Sequence, residues 1–252
     1  MKQVIFSVVM ALWALSCSAQ SAVLASAESS ARYELVSDAS TLAAGDKIII
    51  VCCTDGTGNY HRQALSTIQN TNNRASTAIT KNTDGTISIT DNTAVIELGG
   101  ESGKWTFYVT NGSTTGYLCA ASSSGNYLRT KSQIDKNAQA KITIETNGNA
   151  TISFQGSYTH NKLLYNPTSE LFSCYVAKTD NTRYPQIYRR IKALHDINQD
   201  GILSVADVTA LINLVLGGNA SAAAHPAADM NGDGNLTVAD VTALISLVLR
   251  GS

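Results

Sequence analysis

The sequence predicts a mainly β protein, a β-trefoil-like domain with a β-sandwich as its rival, followed by a small all-α module. Three observations carry that expectation. Residues 32–191 are written in short runs of β-branched and aromatic residues separated by turn dipeptides. Within those runs one pattern recurs three times, as a barrel built from three repeats requires. Residues 196–249 then contain a single unit written twice, 33 residues apart.

The chain opens with Met1-Lys2 and an apolar run from Val4 to Leu15, the charged and apolar regions of an export signal. That run is too short to span a bilayer as a helix. Cys17-Ser18-Ala19 before Gln20 suits cleavage after Ala19, which makes residues 1–19 a signal peptide. A competing reading makes Cys17 the lipidated first residue of a lipoprotein, although Ala14 departs from the residue such a cleavage site prefers. Both readings export the protein, to a secreted location or to the cell surface.

The expected strands run through Lys47–Val51, Thr86–Ile89, Ala94–Leu98, Trp105–Val109, Lys141–Ile144, Thr151–Phe154 and Gln186–Tyr188, with Asp84-Gly85, Asn111-Gly112 and Asn147-Gly148 as turns. Between them lie three pairs of shorter strands. Gln63-Ala64-Leu65 is followed ten residues after its Leu by Ala75, Gly116-Tyr117-Leu118 by Leu128, and Lys162-Leu163-Leu164 by Cys174. The early strand Ile48–Val51 is placed to close the ring. Trp105 and Phe107, two residues apart on one strand, are expected in the core.

Export changes what the cysteines mean. Cys52, Cys53, Cys119 and Cys174 would remain in the mature chain, which allows two disulfides in any of three pairings, or buried thiols. Adjacent Cys52 and Cys53 point to opposite faces of a strand and should not pair with each other. No C-x-x-C or Cys/His cluster indicates zinc or redox chemistry.

The repeated unit is a calcium loop followed by a helix. Ca²⁺ takes six to eight oxygens, and a twelve-residue loop supplies them from positions 1, 3, 5, 7, 9 and 12, with Gly at 6 for the turn. The first loop offers Asp196, Asn198, Asp200, the carbonyl of Ile202, Ser204 and Asp207; the second offers Asp229, Asn231, Asp233, Asn235, Thr237 and Asp240. From Lys192 onward there are two basic and six acidic residues, all six being these aspartates, against 16 basic and 13 acidic before it. Neither part has the basic face that nucleic acid would need.

The twelfth ligand is Asp rather than the Glu of an ordinary EF-hand, and no entering helix precedes either loop, since Ala224-His225-Pro226-Ala227-Ala228 cannot form one. Duplicated in this register, residues 194–251 resemble the type I dockerin family. The resemblance implies a small EF-hand-like module that folds on binding two Ca²⁺ and docks into a cohesin domain on a scaffold protein, in company with a polysaccharide-degrading or sugar-binding domain. It also implies cohesin contacts at Val205, Ala206, Ile212, Asn213 and Gly217 in one copy and Val238, Ala239, Ile245, Ser246 and Arg250 in the other. Val-Ala at the first two positions replaces the hydroxyl residues of many family members and implies a more apolar contact. The β-domain is similar, more loosely, to accessory modules on secreted Bacteroidetes proteins, through Gly45-Asp46-Lys47-Ile48-Ile49-Ile50 and Gln69-Asn70-Thr71-Asn72-Asn73-Arg74.

Three functions follow as expectations. In the first, the β-domain is a non-catalytic carbohydrate-binding module, with its ten tyrosines and many Asn, Ser and Thr side chains as the resource; Tyr60, Tyr127 and Tyr158 lie near loops. In the second it is a hydrolase of O-glycosyl bonds, which needs two carboxylates facing one sugar linkage. Asp55, Glu97, Glu101 and Glu145 are available but cannot be paired from sequence, and His61 and His160 lie in polar loops without a nucleophile beside them. In the third the protein is a surface adhesion component that uses cohesin pairing outside sugar degradation.

Each loop packs three carboxylates together, so metal and folding should be coupled at the C-terminus. The far-UV circular dichroism of the chelated protein is expected to lose helical signal that returns on adding Ca²⁺. Equal helicity with chelator and with calcium would contradict this reading.

Overall fold

A computed structural model describes residues 31–52, 62–191, 195–199, 201, 203–218 and 221–250. The signal-peptide assignment, Cys53, Asp55, Tyr60 and His61 lie outside the described residues, as do the loop positions Asp200 and Ile202. The chain divides into two compact units, one from Arg32 to Arg190 and one containing Ile191–Ser252.

The first unit contains fifteen strands among its described residues, β1 (Arg32–Leu35), β2 (Lys47–Cys52), β3 (Gln63–Gln69), β4 (Arg74–Ala78), β5 (Thr80–Lys81), β6 (Ile87–Ser88), β7 (Ile96–Gly99), β8 (Trp105–Val109), β9 (Gly116–Ala120), β10 (Leu128–Lys131), β11 (Gln139–Ile144), β12 (Ala150–Phe154), β13 (Lys162–Asn166), β14 (Leu171–Tyr175) and β15 (Gln186–Arg190). Six of them close a ring. β2 pairs with β7, β7 with β8, β8 with β11, β11 with β12, and β15 with β2, all antiparallel. The last junction, β12 to β15, is made by the Asn149–Gln186 bridge and by the Ala150 amide donating to Pro185 at 2.7 Å.

Each pair of ring strands is separated in sequence by a hairpin: β3–β4, β9–β10 and β13–β14. The three hairpins are joined to one another. Leu171 and Phe172 of β14 pair with Ala75 and Arg74 of β4, the Leu128 amide donates to Asn72 at 2.8 Å, and the Ser173 hydroxyl donates to the Asn126 carbonyl. A six-strand ring capped by three mutually bonded hairpins is a β-trefoil, and the β-sandwich is excluded by the closure of the ring. β1, β5 and β6 are additions outside the threefold plan, held by pairing of β1 with β15 and β6.

Strand alternation fills the interior. Ile48 and Ile50 of β2, Ile96 and Leu98 of β7, Phe107 and Val109 of β8, Ile152 and Phe154 of β12 and Ile187 of β15 all belong to one buried cluster. Trp105 is there too, as its spacing from Phe107 required. Phe107 and Phe154, from different repeats, meet edge to face at 6.3 Å. Cys119 and Cys174 are buried free thiols, and burial pushes both upward in pKa, which keeps them unreactive. Cys52 is buried in the same core. Of the alternatives the sequence left open, buried thiols therefore hold for Cys119 and Cys174.

The largest fully buried side chain among the described residues of this hydrophobic frame is a charged one. Arg74, fully buried, donates to the carbonyls of Ser66 at 3.0 Å, Thr67 at 3.2 Å and Thr114 at 2.9 Å and to the Thr130 hydroxyl at 2.8 Å. It ties the first hairpin to the second. Burial lowers its pKa to about 10, and no carboxylate among the described residues pairs with it. Arg74→Met would strand two buried and two part-buried acceptors at a cost of about 3 kcal/mol. A fall of roughly 6–12 °C in the Tm of the β-domain is expected by calorimetry for a domain of this size.

Candidate functional site

Among its described residues the C-terminal unit contains two helices, α1 (Val205–Gly217) and α2 (Val238–Arg250), each preceded by one loop. Each loop turns where its spacing demands. The sixth residues, Gly201 and Gly234, sit at φ +86° and +83°, the left-handed region that only glycine enters freely. The fourth residues are left-handed as well, Gly232 at +73° and Gln199 at +60°, so the first loop bears strain there that the second avoids.

The loop backbone is wound around its own side-chain oxygens. In the second copy Asp229 accepts from the amides of Gly232 and Gly234, both at 2.9 Å. Asn231 Oδ1 accepts from Asp233 at 3.0 Å, and Asp233 Oδ1 accepts from Asn235 at 2.8 Å. In the first copy Asp196 Oδ2 accepts from Gly201 at 2.7 Å, the same bond as Asp229 to Gly234. These bonds orient the acids of positions 1 and 5 within a tight turn.

Position 12 closes each loop. Asp207 Oδ1 accepts from Ile197 and Asn198 at the loop's start, at 2.8 and 3.2 Å, while Oδ2 accepts from Ser204 at 2.8 Å. Asp240 repeats this, with Oδ1 accepting from Met230 at 2.9 Å and Oδ2 from Thr237 at 2.8 Å. The Ser204 hydroxyl in turn accepts from Ala206 at 3.1 Å, and that of Thr237 from Ala239 at 3.2 Å, completing reciprocal caps at the two helix starts. Both aspartates are wholly buried. Burial raises the Asp240 carboxyl, but the amides of Thr237, Met230 and Asn231 together outweigh it and hold the group below the usual carboxylate range.

The donors suit a hard cation. Every side chain at positions 1, 3, 5, 9 and 12 offers oxygen, the turn glycine takes the φ the loop needs, and the aspartate at position 1 is held from behind by backbone amides. Among the described residues no three His, Cys, Asp or Glu side chains form a metal cluster, and the first loop's Asp200 lies outside them. Amide, hydroxyl and carbonyl oxygens would complete the shell.

The two helices pack through equivalent residues. Val208 and Leu211 of α1 meet Val241 and Leu244 of α2, with Ala228 between, and Leu214, Val215 and Val248 lie partly buried against them. The opposite stripes face outward. Val205 is 70% and Leu216 79% exposed; Val238 is 69% and Leu249 71%. Ile212 and Ile245 lie between them, also exposed. All five residues expected to contact a partner on α1 are exposed, and on α2 four are, Ser246 being half-buried. Leu216 and Leu249 were missed. Their signal was present, because Val205, Thr209, Ile212 and Leu216 follow helical spacing and so do Val238, Thr242, Ile245 and Leu249.

In the β-domain the loop residues are engaged. Tyr127 carries the Arg129 guanidinium at 5.1 Å, Tyr158 packs against the core, and His160 bonds Asn126 at 2.9 Å. Glu97 pairs with Lys47 and Glu101 with Lys104.

A pair of loop-and-helix units sharing one core, each with an apolar stripe turned outward, defines a docking module of the calcium-loop class. Residues 194–249 match the model of the Dockerin type I domain family, a family that binds calcium. Among curated proteins none matches the chain. Similar solved structures include a designed threefold-symmetric protein, ThreeFoil, at 14% identity and a TM-score of 0.39 over 58% of this chain and 99% of that one. The Haemophilus ducreyi cytolethal distending toxin is another, at 15% identity and 0.34 over 56% and 80%. Both likenesses are weak, and the trefoil assignment rests on the strand pairing. No described helix is long and apolar enough to cross a membrane.

A carboxyl held below its unfolded value of about 3.9 stabilises the fold above that pH, and the contribution is lost as pH falls through the lower, folded value. In saturating Ca²⁺ the helical signal is therefore expected to decline below about pH 4. Asp240→Asn should weaken the module at neutral pH and flatten that acid limb, measured by circular dichroism from pH 7 to 2.

Proposed function

We propose that the protein is an exported component that attaches through its dockerin domain to a cohesin on a scaffold or cell surface and presents the β-trefoil as a carbohydrate-binding domain. In this reading residues 1–19 are the signal peptide, 32–191 the binding domain and 194–251 the docking module. Two Ca²⁺ ions, one per loop, lock the loops against the helix starts. Asp196, Asp200 and Asp207 serve the first and Asp229, Asp233 and Asp240 the second, with the neutral oxygens of Asn198, Ile202, Ser204, Asn231, Asn235 and Thr237.

The observation that carries the reading is the pair of outward stripes. Apolar residues spaced along one face of each helix, with no described residue of their own unit covering them, mark a surface meant for a partner. The stripes repeat residue for residue, Val-Thr-Ile-Leu in both, so either face offers a cohesin the same chemistry. Two binding orientations related by a half-turn follow. The trefoil supports the second half of the proposal only through its polar, tyrosine-rich surface.

Binding to a cognate cohesin is expected to be abolished by chelator and restored by Ca²⁺, as read by calorimetry. Ile212→Asp or Ile245→Asp alone should leave binding within about tenfold, whereas the double variant should remove it. Val205→Ser with Ala206→Thr should likewise be tolerated; outright loss would show that the two faces are not equivalent. Incubation with plant and host glycans, scored for retention and for reducing-end release, separates a binding domain from a hydrolase. Neither retention nor release would favour surface adhesion.

A further inference from the structure

The outer face of the barrel carries one row of side chains that the fold does not require. In register across four adjacent strands, Lys47 of β2 lies opposite Glu97 of β7, Glu97 opposite Tyr108 of β8, and Tyr108 opposite Tyr117 of β9. The two tyrosine rings meet edge to face at 4.9 Å. Tyr108 is 36% exposed and Tyr117 half-buried. One step along the strands Gly99 faces Thr106. A side chain at Gly99 would bring a Cβ to 2.6 Å from the Thr106 hydroxyl, so the absence of one lets that hydroxyl lie close against the neighbouring strand. Glu97, Gly99, Thr106, Tyr108 and Tyr117 line a cavity of about 280 Å³.

The polar atoms around this hollow are unspent. Lys47 Nζ takes Glu97 Oε2 at 2.7 Å, and no described residue takes Oε1. The Thr106 hydroxyl and both phenol oxygens have no hydrogen-bond partner among the described residues. A carboxylate acceptor held in place by a lysine, a hydroxyl on the floor and two ring faces at the wall are a chemically mixed set. They match a ligand that has an apolar face and a rim of hydroxyls, and they match neither an anion nor a lipid.

The pseudo-threefold shows that the row is optional. The equivalent positions in the next repeat, related by the same strand pairs, are Lys141, Ser153 and Lys162; in the remaining repeat they are Gln186, Val51 and Ala64. Three copies of one framework thus stand with and without the tyrosines and the carboxylate. Their presence in a single copy reflects something other than barrel closure.

We infer that Glu97, Thr106, Tyr108 and Tyr117 form a sugar-binding subsite that takes a pyranose ring, stacked by its C–H face on the tyrosines and held through vicinal hydroxyls by Glu97 Oε1. The subsite rests on the reading of the trefoil as a carbohydrate-binding domain and places its ligand. Tyr117 stacks, Tyr108 sets its angle, and Glu97 selects for adjacent hydroxyls of compatible geometry.

Affinity electrophoresis of the full chain in gels containing xylan, mixed-linkage β-glucan, galactan, mannan, pullulan or mucin tests this. The wild-type chain should be retarded by at least one of them. Tyr117→Ala and Glu97→Gln should each weaken that retardation about tenfold or more. Tyr108→Phe, which keeps the ring, should remain retarded, and so should Ser153→Ala in the equivalent row. An unchanged thermal midpoint establishes that each variant folds. No retardation in any gel overturns the carbohydrate-binding reading and the subsite together. Retardation that survives both Tyr117→Ala and Glu97→Gln overturns the subsite alone, and equal loss in Ser153→Ala does the same.

Discussion

The aspartate at the end of each calcium loop is the constraint on which the C-terminal unit depends. Asp207 and Asp240 are wholly buried, and each accepts amide hydrogens from both ends of its own twelve-residue loop. A buried carboxylate is costly unless its lone pairs are satisfied. Here the amides that satisfy it are the very ones left orphaned at a helix start and in an open loop. One side chain therefore folds the loop and starts the helix at once. The outward stripe on each helix exists only when the helix does, so the residue that starts the helix also sets the stripe.

The β-domain solves a different problem. A trefoil closes its sheet into a ring and so leaves few strand edges in the barrel to pair with other chains. Its three repeats share the load, with inward residues of β2, β7, β8, β11, β12 and β15 forming one core and Arg74 stitching two hairpins across the cap. Once the interior is fixed, the outward positions are free to differ among repeats. The row Lys47–Glu97–Tyr108–Tyr117 and its plain counterpart around Ser153 show such a divergence on one frame.

Much of this was legible in the chain, and what was not has physical reasons. Trp105–Val109 is a strand at those limits because Trp105, Phe107 and Val109, two residues apart, all turn into the core. The closing strand Lys47–Cys52 was readable for the opposite reason: four consecutive β-branched residues covered on both faces. β1 and β5 escaped notice since Arg32–Leu35 and Thr80–Lys81 are short and polar, and only their partners make them strands. The calcium loops were plain because coordination fixes spacing. Leu216 and Leu249 extend the outward stripe at helical spacing, and the resemblance that supplied the other contact positions did not include them. The tyrosine pair was hidden for a stronger reason. Tyr108 and Tyr117 become neighbours only through the register of β8 and β9, and Tyr127 and Tyr158, which looked more exposed, are occupied by their own domain.

In the proposed reading, a hollow of about 280 Å³ on a barrel wall would bury only part of one sugar ring, and such a contact would be weak on its own. Weak sites gain from being held near their ligand. When one end of a chain is tied to a scaffold, binding at the other end is drawn from a high local concentration, and several tethered copies raise the apparent affinity without any new contact. This gives the pairing of the two units a physical sense. The helical stripes, apolar and duplicated, have the chemistry of a firm protein interface, whereas the barrel row, polar and open, has that of a reversible one. Firm attachment would let a fleeting grip on a repetitive ligand count many times over, while fast release at each ring keeps the assembly able to move along it.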